Sequence, residues 1–147
     1  MYKLIVALLL VTCNIAAQDF DSLQLRDTIY VLFDEHEKFD DLHLRTYDSQ
    51  ITKTYSYVFP DVQYLNFLTY TNGHFTKDNL KICKKQFYKS KPKIITINAF
   101  HSAGFNHVIQ AIDKKKIVVY IIESKGLAKR KMLLKRAYMQ NVIKTEI

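Results

Sequence analysis

PKIITINAFHSAGFNHVIQAIDKKKIVVYIIESKG, residues 92–126, decides how this chain is read. It opens just after Pro92 with a β-branched run, Ile94, Ile95, Thr96 and Ile97, and closes with a second, Ile117 to Ile122. Short apolar runs rich in β-branched residues suit strands covered on both faces. Between them Phe105, Val108, Ile109 and Ile112 fall at i, i+3, i+4 and i+7, one stripe of an α-helix. Ser102 supplies an N-cap, and Lys114, Lys115 and Lys116 suit the C-terminal end of the helix dipole. The pattern predicts a βαβ unit, two neighbouring parallel strands joined by a right-handed crossover. Parallel neighbours end on one edge of a sheet. Asn98 and His101 after the first strand are therefore expected near Glu123 and Lys125 after the second. Ligands of open α/β sheets favour that carboxyl edge.

Upstream, Thr28 to Phe33 reads as a strand, followed directly by Asp34-Glu35-His36-Glu37. These are metal-ligand residue types without a zinc or calcium spacing, and they read as an acidic, solvated strand exit. Leu42 to Tyr47, Ile51 to Phe59 and Val62 to Thr71 give three more strands. Turn signals at Asp40-Asp41, Pro60-Asp61 and Asn72-Gly73 join them into an antiparallel meander. Tyr55, Tyr57 and Phe59 share one face, where cross-strand packing is the expected role rather than a base- or glycan-stacking platform.

Two further helices are expected. Thr76 caps one that runs to about Ser90, with Leu80, Cys83 and Phe87 inward and a row of lysines outward. Leu127 to about Ile143 gives the other, with Leu127, Leu134, Ala137 and Tyr138 as its packing face. The fold class is then α+β. An N-terminal antiparallel meander joins a C-terminal α-βαβ-α unit in one mixed sheet packed by about three helices.

The first 17 residues read as a secretory signal peptide, with Lys3, an apolar run from Leu4 to Val11, and Ile15-Ala16-Ala17 at the cleavage site. That run is too short to span a bilayer, and no later stretch reaches spanning length. Lipoprotein anchoring through Cys13 is the lesser alternative, because Thr12 suits that processing poorly. Residues 18–147 have the size of one domain, with an acidic β-rich half at 18–75 and a basic α/β half at 76–147. The product is expected to be secreted or periplasmic. Only Cys83 follows the signal, so no internal disulfide is expected, and a buried structural thiol is its default role.

Charge divides the chain sharply. Residues 18–78 carry 5 basic and 11 acidic side chains, residues 79–147 carry 16 and 3, and the whole chain is +8. Such asymmetry points to an anionic polymer or an anionic envelope surface as partner. The candidate anion-binding residues are Lys81, Lys84, Lys85 and, further on, Lys129, Arg130, Lys131 and Arg136. Two competing readings lay the acidic half against the basic one, or leave the charges as the ordinary solvated faces of exposed helices.

Signatures for phosphate loops, serine nucleophiles, zinc helices and paired cysteines are missing, and no cofactor or metal is expected. Glu123-Ser124-Lys125 resembles the acid-x-lysine strand end of the restriction-endonuclease-like nucleases. That resemblance implies a second carboxylate beside the first to hold a divalent metal. Asp113 is the upstream acid, but the intervening six-residue strand alone spans roughly 20 Å, too far to share an ion. The leading expectation is a non-enzymatic binding or structural module. The alternative is a small secreted hydrolase at the carboxyl edge, nuclease-like in one form, with His101 as acid/base, Glu123 as its orienter or a metal ligand, and Lys125 as an anion stabiliser.

Overall fold

Strand β1 (Thr28–Phe33) is the axis of the sheet. Ile29, Val31 and Phe33 are buried on one face, and Tyr30 and Leu32 are half-buried on the other. The computed structural model describes residues 27–34, 36–39, 42–59, 64–113 and 116–142. The expected signal peptide, Cys13, the turns at Asp40-Asp41 and Pro60-Asp61, and Lys114 and Lys115 lie outside the described residues.

Strands β2 (Lys38–Phe39), β3 (Leu42–Asp48), β4 (Thr52–Val58) and β5 (Tyr64–Tyr70) form the antiparallel meander. Ser49 closes the β3–β4 turn, its N–H donating to Thr52 O at 2.8 Å. After β5 come β6 (Leu80–Cys83), helix α1 (Lys84–Lys89) and β7 (Ile94–Ile95). Helices α2 (Ile97–Ala103) and α3 (Phe105–Asp113), strand β8 (Val118–Glu123) and strand β9 (Lys131–Val142) complete the described chain. The fold is α+β, a single domain with one mixed sheet ordered β2-β3-β4-β5-β9-β8-β1-β7, to which β6 adds beside β9. Among the described residues no helix is long and apolar enough to cross a membrane.

Three details differ from the sequence reading. First, β7 and β8 run parallel but are not neighbours, because β1 lies between them and pairs with both. The reason is ladder length. Thr96 ends the first run after two strand residues, and Ile97 starts α2. A two-residue strand would leave most of β8 unpaired, whereas β1 matches it from Thr28–Val118 to Phe33–Glu123. The crossover helices are two, and Ser102 lies inside α2 rather than capping α3. Gly104 makes the corner between them at φ 78, which side chains rarely tolerate.

Second, the expected helix from Leu127 is a 3-10 turn (Ser124–Ala128) followed by the twelve-residue strand β9. Its Lys, Arg, Leu, Met and Ala content favours helix locally. Pairing overrides it, since β9 satisfies edges of β5, β6 and β8 together. Third, the expected helix from Thr76 to Ser90 is a 3-10 turn (His74–Asp78), strand β6 and the short α1. Leu80 to Cys83, expected on that helix, pair instead with Lys131 to Leu134 of β9. The picture of two basic helices therefore gives way to a basic strand pair with short helical turns.

The sheet curls strongly. Four strand spacings separate β4 from β1, roughly 19 Å in a flat sheet. Yet the Phe33 and Tyr55 rings lie 4.9 Å apart, and those of Phe33 and Tyr57 lie 5.7 Å apart. The concave face holds the main core, with Val31, Tyr57, Phe67 and Ile121 packed under Phe100, Phe105 and Val108 of α2 and α3. Tyr55, Tyr57 and Phe59 are buried, so they stabilise the sheet and present no stacking platform. A smaller cluster on the convex face joins Phe87, Ile122, Met132 and Leu134.

Candidate functional site

Three strands turn from apolar to charged along their concave faces as they reach one mouth of the curled sheet. On β8 the inward row is Val119, Ile121, Glu123; on β9, read backwards, it is Ala137 then Lys135; on β4 it is Tyr57, Tyr55, Lys53. Register and curl bring the ends of these rows together. Lys53 Nζ donates to Glu123 Oε1 at 2.8 Å, and Tyr55 Oη donates to the same oxygen at 2.7 Å. Lys135 Nζ lies 3.3 Å from Glu123 Oε1 and donates to Tyr55 Oη at 2.9 Å. Lys125 Nζ stands 3.7 Å from Glu123 Oε2. The side chains of Lys53, Lys135 and Glu123 are only 13%, 15% and 17% exposed, whereas that of Lys125 is 69% exposed.

Burial alone would raise the Glu123 pKa, but the hydrogen bonds from Lys53 and Tyr55 and the charges of Lys135 and Lys53 outweigh it and bring it down to about 2. Burial first, then the Glu123 carboxylate, pushes the Tyr55 phenol well above its ordinary range. Neither group changes protonation near neutrality. The cluster is thus a clamp joining β4, β8 and β9, in which Lys53 and Lys135 hold one carboxylate and the exposed Lys125 stands at its rim. Among the described residues no group of His, Cys, Asp and Glu is arranged to hold a metal ion.

Two cavities open on either side of this clamp. The first, about 350 Å³, lies beyond the carboxyl ends of β1 and β8. Asp34, His36, Thr46 and Ser124 join Lys53, Glu123 and Lys125 around it, with the buried rings of Phe33 and Tyr55. Asp34 Oδ1 accepts the His36 N–H at 3.0 Å, which shapes the rim. The second, about 450 Å³, sits where β8 and β9 splay apart. Lys81, Lys125, Lys129, Lys131 and Lys135 surround it, with Ile122, Met132 and Leu133 as apolar wall and Glu123 as its one carboxylate. Glu123 and Lys125 border both cavities.

Of the residues expected at the carboxyl edge, Glu123 and Lys125 lie together. His101 lies on α2 and lines neither cavity, and Asn98 is exposed on the same helix. The insertion of β1 explains this, since it puts Asp34 and His36, not the residues after β7, beside the end of β8. Of the expected anion-binding residues, Lys81, Lys129 and Lys131 converge on the second cavity. Lys84 Nζ is engaged by Leu127 O, and Arg136 donates to Val119 O and Ala137 O. Lys85 and Arg130 are exposed but do not line that cavity. Cys83 is half-buried at the start of α1, where the N–H groups of Lys85 and Gln86 lower its thiol pKa.

Sequence reasoning missed Lys53, Tyr55 and Lys135. The available signal was alternation: each sits two residues from a buried inward neighbour on its own strand. Taken without the curl, that parity did not show that three separate strands end at one point. Comparison of the chain with family models, with curated proteins and with solved structures found no match, so the functional reading rests on this geometry.

Proposed function

We propose that this chain is an exported, non-enzymatic binding module that takes an anionic partner in the lysine-lined cavity between β8 and β9. The observation that carries the reading is the charge around that cavity. Five lysines line it; the one carboxylate among its described lining residues, Glu123, is held by Lys53 and by one of the five, Lys135, which leaves Lys81, Lys129 and Lys131 without a carboxylate among the described residues. Uncompensated cations around a concave surface concentrate an anion there and speed its approach. A cavity of this size falls within the range of small-ligand sites, roughly 300–1,000 Å³. A general acid or base works best with a pKa near the operating pH, which neither Glu123 nor Tyr55 meets. Glu123 is held far below that range and Tyr55 far above it. The export part of the reading rests on the signal-like segment at residues 1–17.

The test is retention on immobilised heparin as a function of salt. Retention should fall steeply with ionic strength, since each ammonium contact releases counterions. Lys129→Glu combined with Lys131→Glu should lower affinity by about tenfold or more, equivalent to about 1.4 kcal/mol. Lys77→Glu combined with Lys89→Glu makes the same charge change away from the cavity and serves as the control. Equal losses from both pairs would show diffuse attraction and remove the site. N-terminal sequencing of the exported protein should begin at Gln18.

A further inference from the structure

We infer that the two cavities form one extended site and that its occupant is an anionic glycan. An acidic group would lie among the lysines between β8 and β9, and a neighbouring hydroxylated sugar unit would lie at the carboxyl edge of β1 and β8. The inference rests on the anion-binding reading above and adds the class of ligand.

The two cavities are contiguous in their walls, since Glu123 and Lys125 border both. Their chemistry differs in a directed way. The second is cationic with an apolar floor. The first mixes hydroxyl, imidazole, carboxylate and ammonium groups at Thr46, Ser124, His36, Asp34 and Lys53. Thr46 and Ser124 both line the cavity, and among the described residues no side chain is hydrogen-bonded to Thr46 Oγ1 or Ser124 Oγ. A carboxylate such as Asp34 repels phosphate but accepts hydrogen bonds from neutral hydroxyls. Lys125 stands at the boundary, 69% exposed and at a long 3.7 Å from Glu123, and is free to turn toward either side.

These features separate a glycan from a nucleic acid. Single strands are held by bases stacked on presented aromatic faces. The two rings of the first cavity are buried instead, Phe33 at 3% and Tyr55 at 0% exposure. What the first cavity does offer is a set of polar groups matched to a hydroxyl-bearing ring. A sugar chain that alternates acidic and neutral hydroxylated positions meets both walls at once, whereas a compact inorganic anion meets only the second.

Titration calorimetry with free glucuronic acid and with a hyaluronan-derived disaccharide, a uronic acid joined to a neutral hydroxylated sugar, on the full mature chain, tests this. The disaccharide should bind at least about tenfold more tightly than the uronic acid alone, at equal charge. Thr46→Val keeps shape and β-branching and deletes one hydroxyl. It should weaken the disaccharide by about fivefold, the size of one lost hydrogen bond, and leave the uronic acid unchanged. Ser124→Ala should do the same, which guards against a fault in one variant. Unchanged disaccharide affinity in both variants would overturn the extended site. Tighter binding of tripolyphosphate or of a single-stranded oligodeoxynucleotide of matched charge would overturn the glycan class while leaving the anion site standing. Failure of every anion to bind at low salt would overturn the anion-binding reading itself, and this inference with it.

Discussion

The mouth of the curled sheet and the splay between β8 and β9 share Glu123 and yet treat charge in opposite ways. At the mouth, Lys53, Lys135 and Tyr55 close on one carboxylate with little exposure. In the splay, Lys81, Lys129 and Lys131 line an open cavity and pair with no carboxylate among the described residues. A buried ion cluster is retained only when each member is paired, and removing one member strands the others. Exposed like charges survive because water screens them, and they add almost nothing to folding. The mouth therefore bears on stability, and the splay is the surface to which the proposed anion binding is assigned. The anionic member of the clamp comes from the basic half of the chain, and one of its cations, Lys53, comes from the acidic half. The contact between halves is the reverse of the one that net charge suggested.

Breaking the clamp should give the largest effect on stability. Glu123→Gln leaves two half-buried ammonium groups facing each other and should cost about 2–3 kcal/mol in denaturant unfolding. The same carboxylate sets an acid limb. Its folded pKa of about 2 lies below the ordinary 4.5, so its stabilisation is complete above pH 4.5 and is lost as pH falls toward 2. Glu123→Gln should flatten that limb, and an acid limb unchanged by the substitution would mean that the clamp does not hold in solution. Tyr55→Phe keeps the buried ring and removes the donor to Glu123, which should cost about 1–2 kcal/mol by the same measurement. Lys125→Ala sharpens the contrast from the other side. Its ion pair is long and exposed, so stability should change by less than about 0.5 kcal/mol, while heparin retention falls measurably. A large loss of stability there would place Lys125 in the clamp instead of in the ligand site.

Periodicity and charge carried much of this protein by themselves. The alternation in Thr28–Phe33 and in the meander, the stripe from Phe105 to Ile112 and the apolar run ending at Glu123 each match an element that forms. They did so because the burial of those segments follows from their own pattern. The α+β class and the lysine-rich second half were legible for the same reason. Residues 131–142 were not, since Lys, Arg, Leu and Met satisfy helical and strand periods alike and the choice is made by three strand edges elsewhere in the chain. The site shows the same division. Glu123 and Lys125 follow from the end of an apolar strand. Their meeting with Lys53, Tyr55 and Lys135 does not, because those partners lie up to 70 residues away and converge only when the sheet curls. Local sequence sets which face of a strand is apolar; only the folded sheet decides which strand ends share a mouth, since that depends on strand order and curvature, and neither is written in any one segment.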